Sequence, residues 1–184
     1  MFWMLVFMGG VLFGVGPAFL SVSDLYVAHK YQYEDIKFTE LHGIFRNNFN
    51  DGNKMFYLFG SLIFFVVYNL YLSFQLEMSW IVFMQILMVF TIVFLSITFL
   101  YTVVLHSYYE INFKDLLKLG FLSFFANIIQ LVRFGISLVA IYFIFRLMPG
   151  LLLFGIFSLL ILVSVESLSS WIPIINETIV YEKN

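Results

Sequence analysis

The stretch Met78–Tyr109, MSWIVFMQILMVFTIVFLSITFLYTVVLHSYY, decides the fold class. It contains no Asp, Glu, Lys or Arg, and it is longer than the roughly 20 apolar residues with which a helix crosses a bilayer. Polar and apolar residues do not alternate along it as they would in a barrel strand. In lipid, backbone polar groups must be satisfied internally, so an apolar run of this length reads as a helix. Its excess over the bilayer thickness implies tilt, or emergence before Glu110 with His106, Tyr108 and Tyr109 at the interface.

The sequence on either side has the same character. The 184 residues are 62% hydrophobic with a mean hydropathy of +1.00, too apolar to be hidden in one small core. The pattern predicts an all-α polytopic membrane protein of one integral membrane domain, residues 1–184. Five transmembrane helices are expected over about 1–20, 55–76, 80–106, 119–146 and 151–171. Residues 1–20 lack the basic segment of a secretory signal and are expected to remain as a span. Within them Gly10-x-x-x-Gly14 fits a small-residue packing motif, serving close helix approach, a hinge or a partner contact. Pro17 fits the first turn of a new or kinked helix, with Ser21, Ser23 and Asp24 leaving the bilayer.

Two intervals, 21–54 and 107–118, are polar and are expected as loops. Gly16–Lys54 alone holds Asp24, Glu34, Asp35, Glu40, Asp51, Lys30, Lys37, Arg46, Lys54, His29 and His42. Phe38, Leu41, Phe45 and Phe49 recur there at helical spacing, which predicts a short amphipathic helix ended by the turn residues Asn50–Asn53. Such a helix lies on the membrane surface, docks on a partner subunit, or packs against its own bundle. Lys30, Lys37, Arg46, Lys54, Lys114 and Lys118 fall in these two loops and Lys183 in the tail, whereas Arg146 falls on the other side. The positive-inside rule then puts the N-terminus outside, the C-terminus and both polar loops in the cytoplasm, and the protein in a cell membrane.

Two charges within spans require a role, because an ionised side chain at mid-bilayer costs at least about 2.5–3.5 kcal/mol. Arg133 lies about thirteen residues from either end of its expected span, near the midplane. Glu166, nearer the cytoplasmic side, is its candidate partner across a depth difference of about 10 Å. Asn127 and Gln130 are neutral alternatives. The pair serves as a tether within the bundle, a water-lined path, or a contact to another chain.

Composition argues against other classes. A net charge of −2 without a basic run gives no footprint for nucleic acid. There is no cysteine, and His29, His42 and His106 have no metal-ligand spacing, so no metal is expected. No phosphate-binding glycine loop or Gly-x-Ser-x-Gly element is present, so neither a cofactor nor a catalytic residue is expected, and the chain is not read as an enzyme.

Gly16-Pro17-Ala18, followed by Phe45-Arg46-Asn47-Asn48-Phe49 and Gly52, resembles the YesL-like family of bacterial integral membrane proteins, itself of unknown function. Tyr109-Glu110 and Phe113-Lys114-Asp115-Leu116-Leu117-Lys118 extend the resemblance over most of the chain in order. Members of that family begin with an additional amphipathic piece, which this sequence lacks, and carry a proline near the position of His106. The resemblance implies a setting beside carbohydrate ABC importers and their sensor kinases in Gram-positive bacteria. It makes Gly16, Pro17, Phe45, Arg46, Asn48 and Phe49 candidates for docking on importer permease subunits. The expected function is a non-catalytic auxiliary membrane subunit of an oligosaccharide importer. The alternatives are a small transporter or channel lined by Arg133, and a regulatory membrane partner of a sugar-responsive sensor kinase.

Overall fold

The computed structural model of the chain describes residues 1–29, 38–76, 80–126, 128–147 and 149–178. Among these residues the regular structure is entirely helical: α1 (Phe2–Met8), α2 (Val11–His29), α3 (Phe38–Asn47), α4 (Phe49–Ser73), α5 (Ile81–Tyr108), α6 (Phe113–Ala126), α7 (Ile128–Leu147), α8 (Pro149–Leu168) and α9 (Ile172–Thr178). The charged stretch 30–37, the turn at Glu77, Asn127 and the tail with Lys183 lie outside the described residues, as does the side chain of Gln130. Helices α2, α4 and α5 are long and apolar enough to cross a membrane, and α6 with α7 makes a fourth if that bent pair is one span. Helix α8 adds a shorter apolar stretch, Gly155–Leu168. These helices are consistent with a membrane protein.

Helix α2 is the axis of the fold, packing against α1, α3, α4, α5 and α8. Sixty-one per cent of its apolar window is buried, against 11% for α4 and 22% for α5. The hydrophobic core therefore forms where Leu20 and Leu25 meet Met55, Val103, Val104, Leu105, Ile161 and Leu168. The far half of the α4–α5 hairpin lies outside it, presenting Phe64, Phe65, Tyr71, Phe74, Phe83, Ile86 and Phe90 outward. An apolar face running along two helices is untenable in water and is what lipid accepts.

The first expected span differs from what forms. Residues 1–20 are not one helix: Gly10 takes the left-handed conformation (φ 67°), ends α1, and lets α1 fold back along α2. Gly9 and Gly14 meet at this fold, where a Cβ on Gly9 would lie 2.5 Å from the Gly14 Cα. Gly10-x-x-x-Gly14 thus builds a tight hairpin within the chain, and the long helix is displaced to Val11–His29. Pro17 sits inside that helix, not at its start. Ser21 and Ser23, expected to leave the bilayer, are fully buried in the core.

The second difference is at Asn50–Asn53. These residues do not form a turn but belong to the beginning of α4, which follows α3 after the single residue Asn48. Asn48 keeps a right-handed helical conformation (φ −82°, ψ −1°), and its carbonyl accepts from the Gly52 N–H at 2.9 Å, so the chain bends without losing its backbone hydrogen bonds. Asp51 in the first turn suits the positive end of the helix dipole. The third difference is the expected span 119–146, which is divided into α6 and α7 meeting at 87°. Helix α6 instead begins at Phe113, inside the interval 107–118 expected as a loop, and packs along α5.

Candidate functional site

Two clusters of side chains contain the residues expected to act. The first is the corner of α2, α3 and α4. Gly16 and Pro17 lie against Gly52 so closely that a Cβ on Gly52 would stand 2.6 Å from the Pro17 nitrogen, bringing the two backbones into contact. One turn or two further along, the buried Asn48 amide donates to the Asp24 carboxylate and joins the α3–α4 bend to α2. Phe45 is buried and packs its ring on Phe49, with centroids 6.0 Å apart. Its tip also reaches the Gly9 turn.

Gly16, Pro17, Asn48 and Phe45, all candidates for docking, are therefore inside the molecule, and Phe49 is half-buried. Arg46 is exposed. It shares a shallow depression of about 300 Å³ with His42, Phe45, Phe49 and Asn50. Helix α3 is amphipathic as expected, burying Leu41 and Phe45 and presenting Glu40, His42, Arg46 and Asn47.

Polar contacts continue from this corner to α5. The Ser107 hydroxyl donates to the Ser23 hydroxyl at 2.8 Å inside the core. Asp51 lies 4.0 Å from the His106 Nε2 and accepts from the Lys54 ammonium at 2.8 Å. These contacts hold the start of α4 to the end of α5, so Arg46, Lys54, Lys114 and Lys118 all lie on segments at one end of the bundle. Among the described residues no three His, Asp or Glu side chains gather in a way that could hold a metal ion.

The second place is a groove of about 470 Å³ between α7 and α8. Arg133, Ser137, Glu166, Ser167 and Ser169 supply its polar lining, and Phe134, Ile136, Leu162 and Val163 its apolar walls. Arg133 and Glu166 are exposed and line the groove together, with no ion pair between them among the described residues. Arg133 stands in the second turn of α7 and Glu166 in the last turn of α8, and the two line the same groove.

The serines here are occupied by local bonds. Ser137 and Ser169 donate to the carbonyls of Arg133 and Glu166 at 3.0 and 2.7 Å. Ser167 is 3.1 Å from the buried Tyr101 hydroxyl, tying α8 to α5. Tyr109 at the end of α5 reaches Asn176 of α9. Glu166 and Ser169 also border a neighbouring groove of about 390 Å³ with Tyr26, Tyr108, Ile172 and Pro173. None of the interhelical bonds Asp24–Asn48, Ser23–Ser107 and Tyr101–Ser167 is signalled by spacing along the chain. The one available hint was that polar residues within apolar helices require partners.

Residues 1–70 match the family described as "Protein of unknown function, DUF624". The match covers α1, α2, α3 and most of α4, the corner in which Gly16, Pro17, Asn48 and Gly52 meet. No curated protein and no solved structure matches the chain.

Proposed function

We propose that this chain is a non-catalytic auxiliary membrane subunit that associates with the permease subunits of a bacterial carbohydrate ABC importer, as the likeness to the YesL-like family implies. The observation that carries the reading is the division of labour at the corner within residues 1–70. Gly16, Pro17, Asn48 and Gly52 are spent on bringing helices together, while Arg46 and its neighbours on α3 stay outside. A small helix held rigidly by such a corner and offering Glu40, His42, Arg46 and Asn47 is suited to a partner's cytoplasmic surface.

In this reading the bundle has five spans: α2 with α1 folded on it, α4, α5, the bent α6–α7 pair, and α8. The end carrying Arg46, Lys54, Lys114 and Lys118 is cytoplasmic, and Arg146 lies outside. Gentle solubilisation of native membranes and affinity capture of the full chain, followed by mass spectrometry, tests the role. Permease subunits in stoichiometric yield are expected, with the yield falling at least severalfold for Arg46→Glu. Capture of the intact chain without any permease would sink the proposal. A small transporter is the second role, favoured by the polar groove at Arg133. It predicts solute flux in liposomes holding this protein alone, abolished by Arg133→Leu.

A further inference from the structure

We infer that the α7–α8 groove is a binding site for a phospholipid with a phosphoethanolamine headgroup, Arg133 taking the phosphate and Glu166 the ammonium. The argument begins with the placement of the two charges. Glu166 lies in the last turn of α8, where the helix dipole disfavours an anion, and Arg133, in the second turn of α7, gains nothing from its own helix dipole. Neither position is explained by its own helix. Nor do the two satisfy each other, since both are exposed in one groove without an ion pair between them. The Ser137 and Ser169 hydroxyls donate to backbone carbonyls, and among the described residues no side chain pairs with either charge.

A ligand that answers both at once carries an anion and a cation a few bonds apart. Arginine's fork of N–H donors matches phosphate oxygens, and a carboxylate is best matched by a primary ammonium with N–H donors. The surroundings select a lipid over a soluble zwitterion. Ile129, Val132, Ile136 and Val139 form an exposed apolar stripe along α7 beside Arg133, the path an acyl chain would follow from a headgroup held there. Tyr108, Ser169, Ser170 and Trp171 surround the same end of α8, a composition typical of the membrane interface.

Native mass spectrometry of the full chain, delipidated in mild detergent, reads the preference directly. The probes are phosphatidylethanolamine, phosphatidylcholine and phosphatidylglycerol with identical acyl chains. Phosphatidylcholine lacks the N–H donors that Glu166 requires, and phosphatidylglycerol lacks the cation. Retention of phosphatidylethanolamine is expected to exceed that of either by about tenfold, the scale of one charge-assisted hydrogen bond. Arg133→Gln and Glu166→Gln should each erase the preference. The double exchange Arg133→Glu with Glu166→Arg keeps both charges in the groove and should restore part of it, which separates lost recognition from misfolding. Equal retention of the three lipids, or a preference untouched by Glu166→Gln, overturns the proposal. So does displacement of the lipid by free phosphoethanolamine at matched concentration, which assigns the groove to a soluble zwitterion. Crosslinking from position 136 to a partner chain in native membranes, with no lipid retained, would give it to a protein and also overturn it.

Discussion

At the scale of single residues, the positions that look like a docking motif act mainly as spacers and ties. Gly16 and Gly52 matter for the side chains they lack. A Cβ on Gly52 would stand 2.6 Å from the Pro17 nitrogen and 2.7 Å from its Cα, in rigid backbone that has nowhere to move. Gly52→Ala is therefore expected to destabilise the protein by about 1–3 kcal/mol, the usual cost of overpacking. In detergent its Tm should fall by several degrees, whereas Gly60→Ala, with nothing within 4 Å of the added carbon, should leave Tm unchanged or slightly raised. Equal melting of the two variants would show that α2 and α4 do not touch at this point. Asn48 and Asp24 add a directed bond at the same corner, one that only pairing keeps inexpensive inside the bundle.

At the scale of elements, two breaks set the architecture. The first is at Gly10, which turns α1 back on α2 and gives the core its central helix. A Cβ at Gly10 meets nothing within 4 Å, so any cost of substitution there is conformational. Gly10→Val should lower stability by about 1–2 kcal/mol, the penalty of a left-handed backbone, while Gly10→Asn should cost distinctly less. Equilibrium unfolding of the two variants compares them. Loss of the same stability in both would count against the left-handed turn. The second break, between α6 and α7, puts Arg133 in the second turn of a helix, in one groove with Glu166.

At the scale of the whole molecule, the basic segments converge on one end, and this gives the topology a direct test. The chain has no cysteine, so single cysteines report without background. Lys118→Cys in the second turn of α6 and Arg146→Cys in the last turn of α7 lie on either side of the bend between the two helices. A membrane-impermeant maleimide should label them from opposite faces, with position 118 cytoplasmic. Labelling of both from one face would make the pair a re-entrant element and remove one crossing from the proposed five-span topology.

Much of this was written in the sequence. The apolar run Met78–Tyr109 fixes a helix because lipid offers the backbone no other way to satisfy its hydrogen bonds. The 3.6-residue spacing of Leu41 and Phe45 likewise specifies a helix with one buried face. Both are local properties, legible at short range along the chain. The corner and the groove are not local. That Gly52 packs on Gly16 and Pro17 is a contact between residues distant in sequence, made only on folding. That Arg133 shares a groove with Glu166 depends on how α7 packs on α8, which no spacing along the chain announces. Hydrophobicity determined that these segments are helices suited to lipid; close packing between them, which no periodicity encodes, decided which polar residues hold the bundle and which face outward.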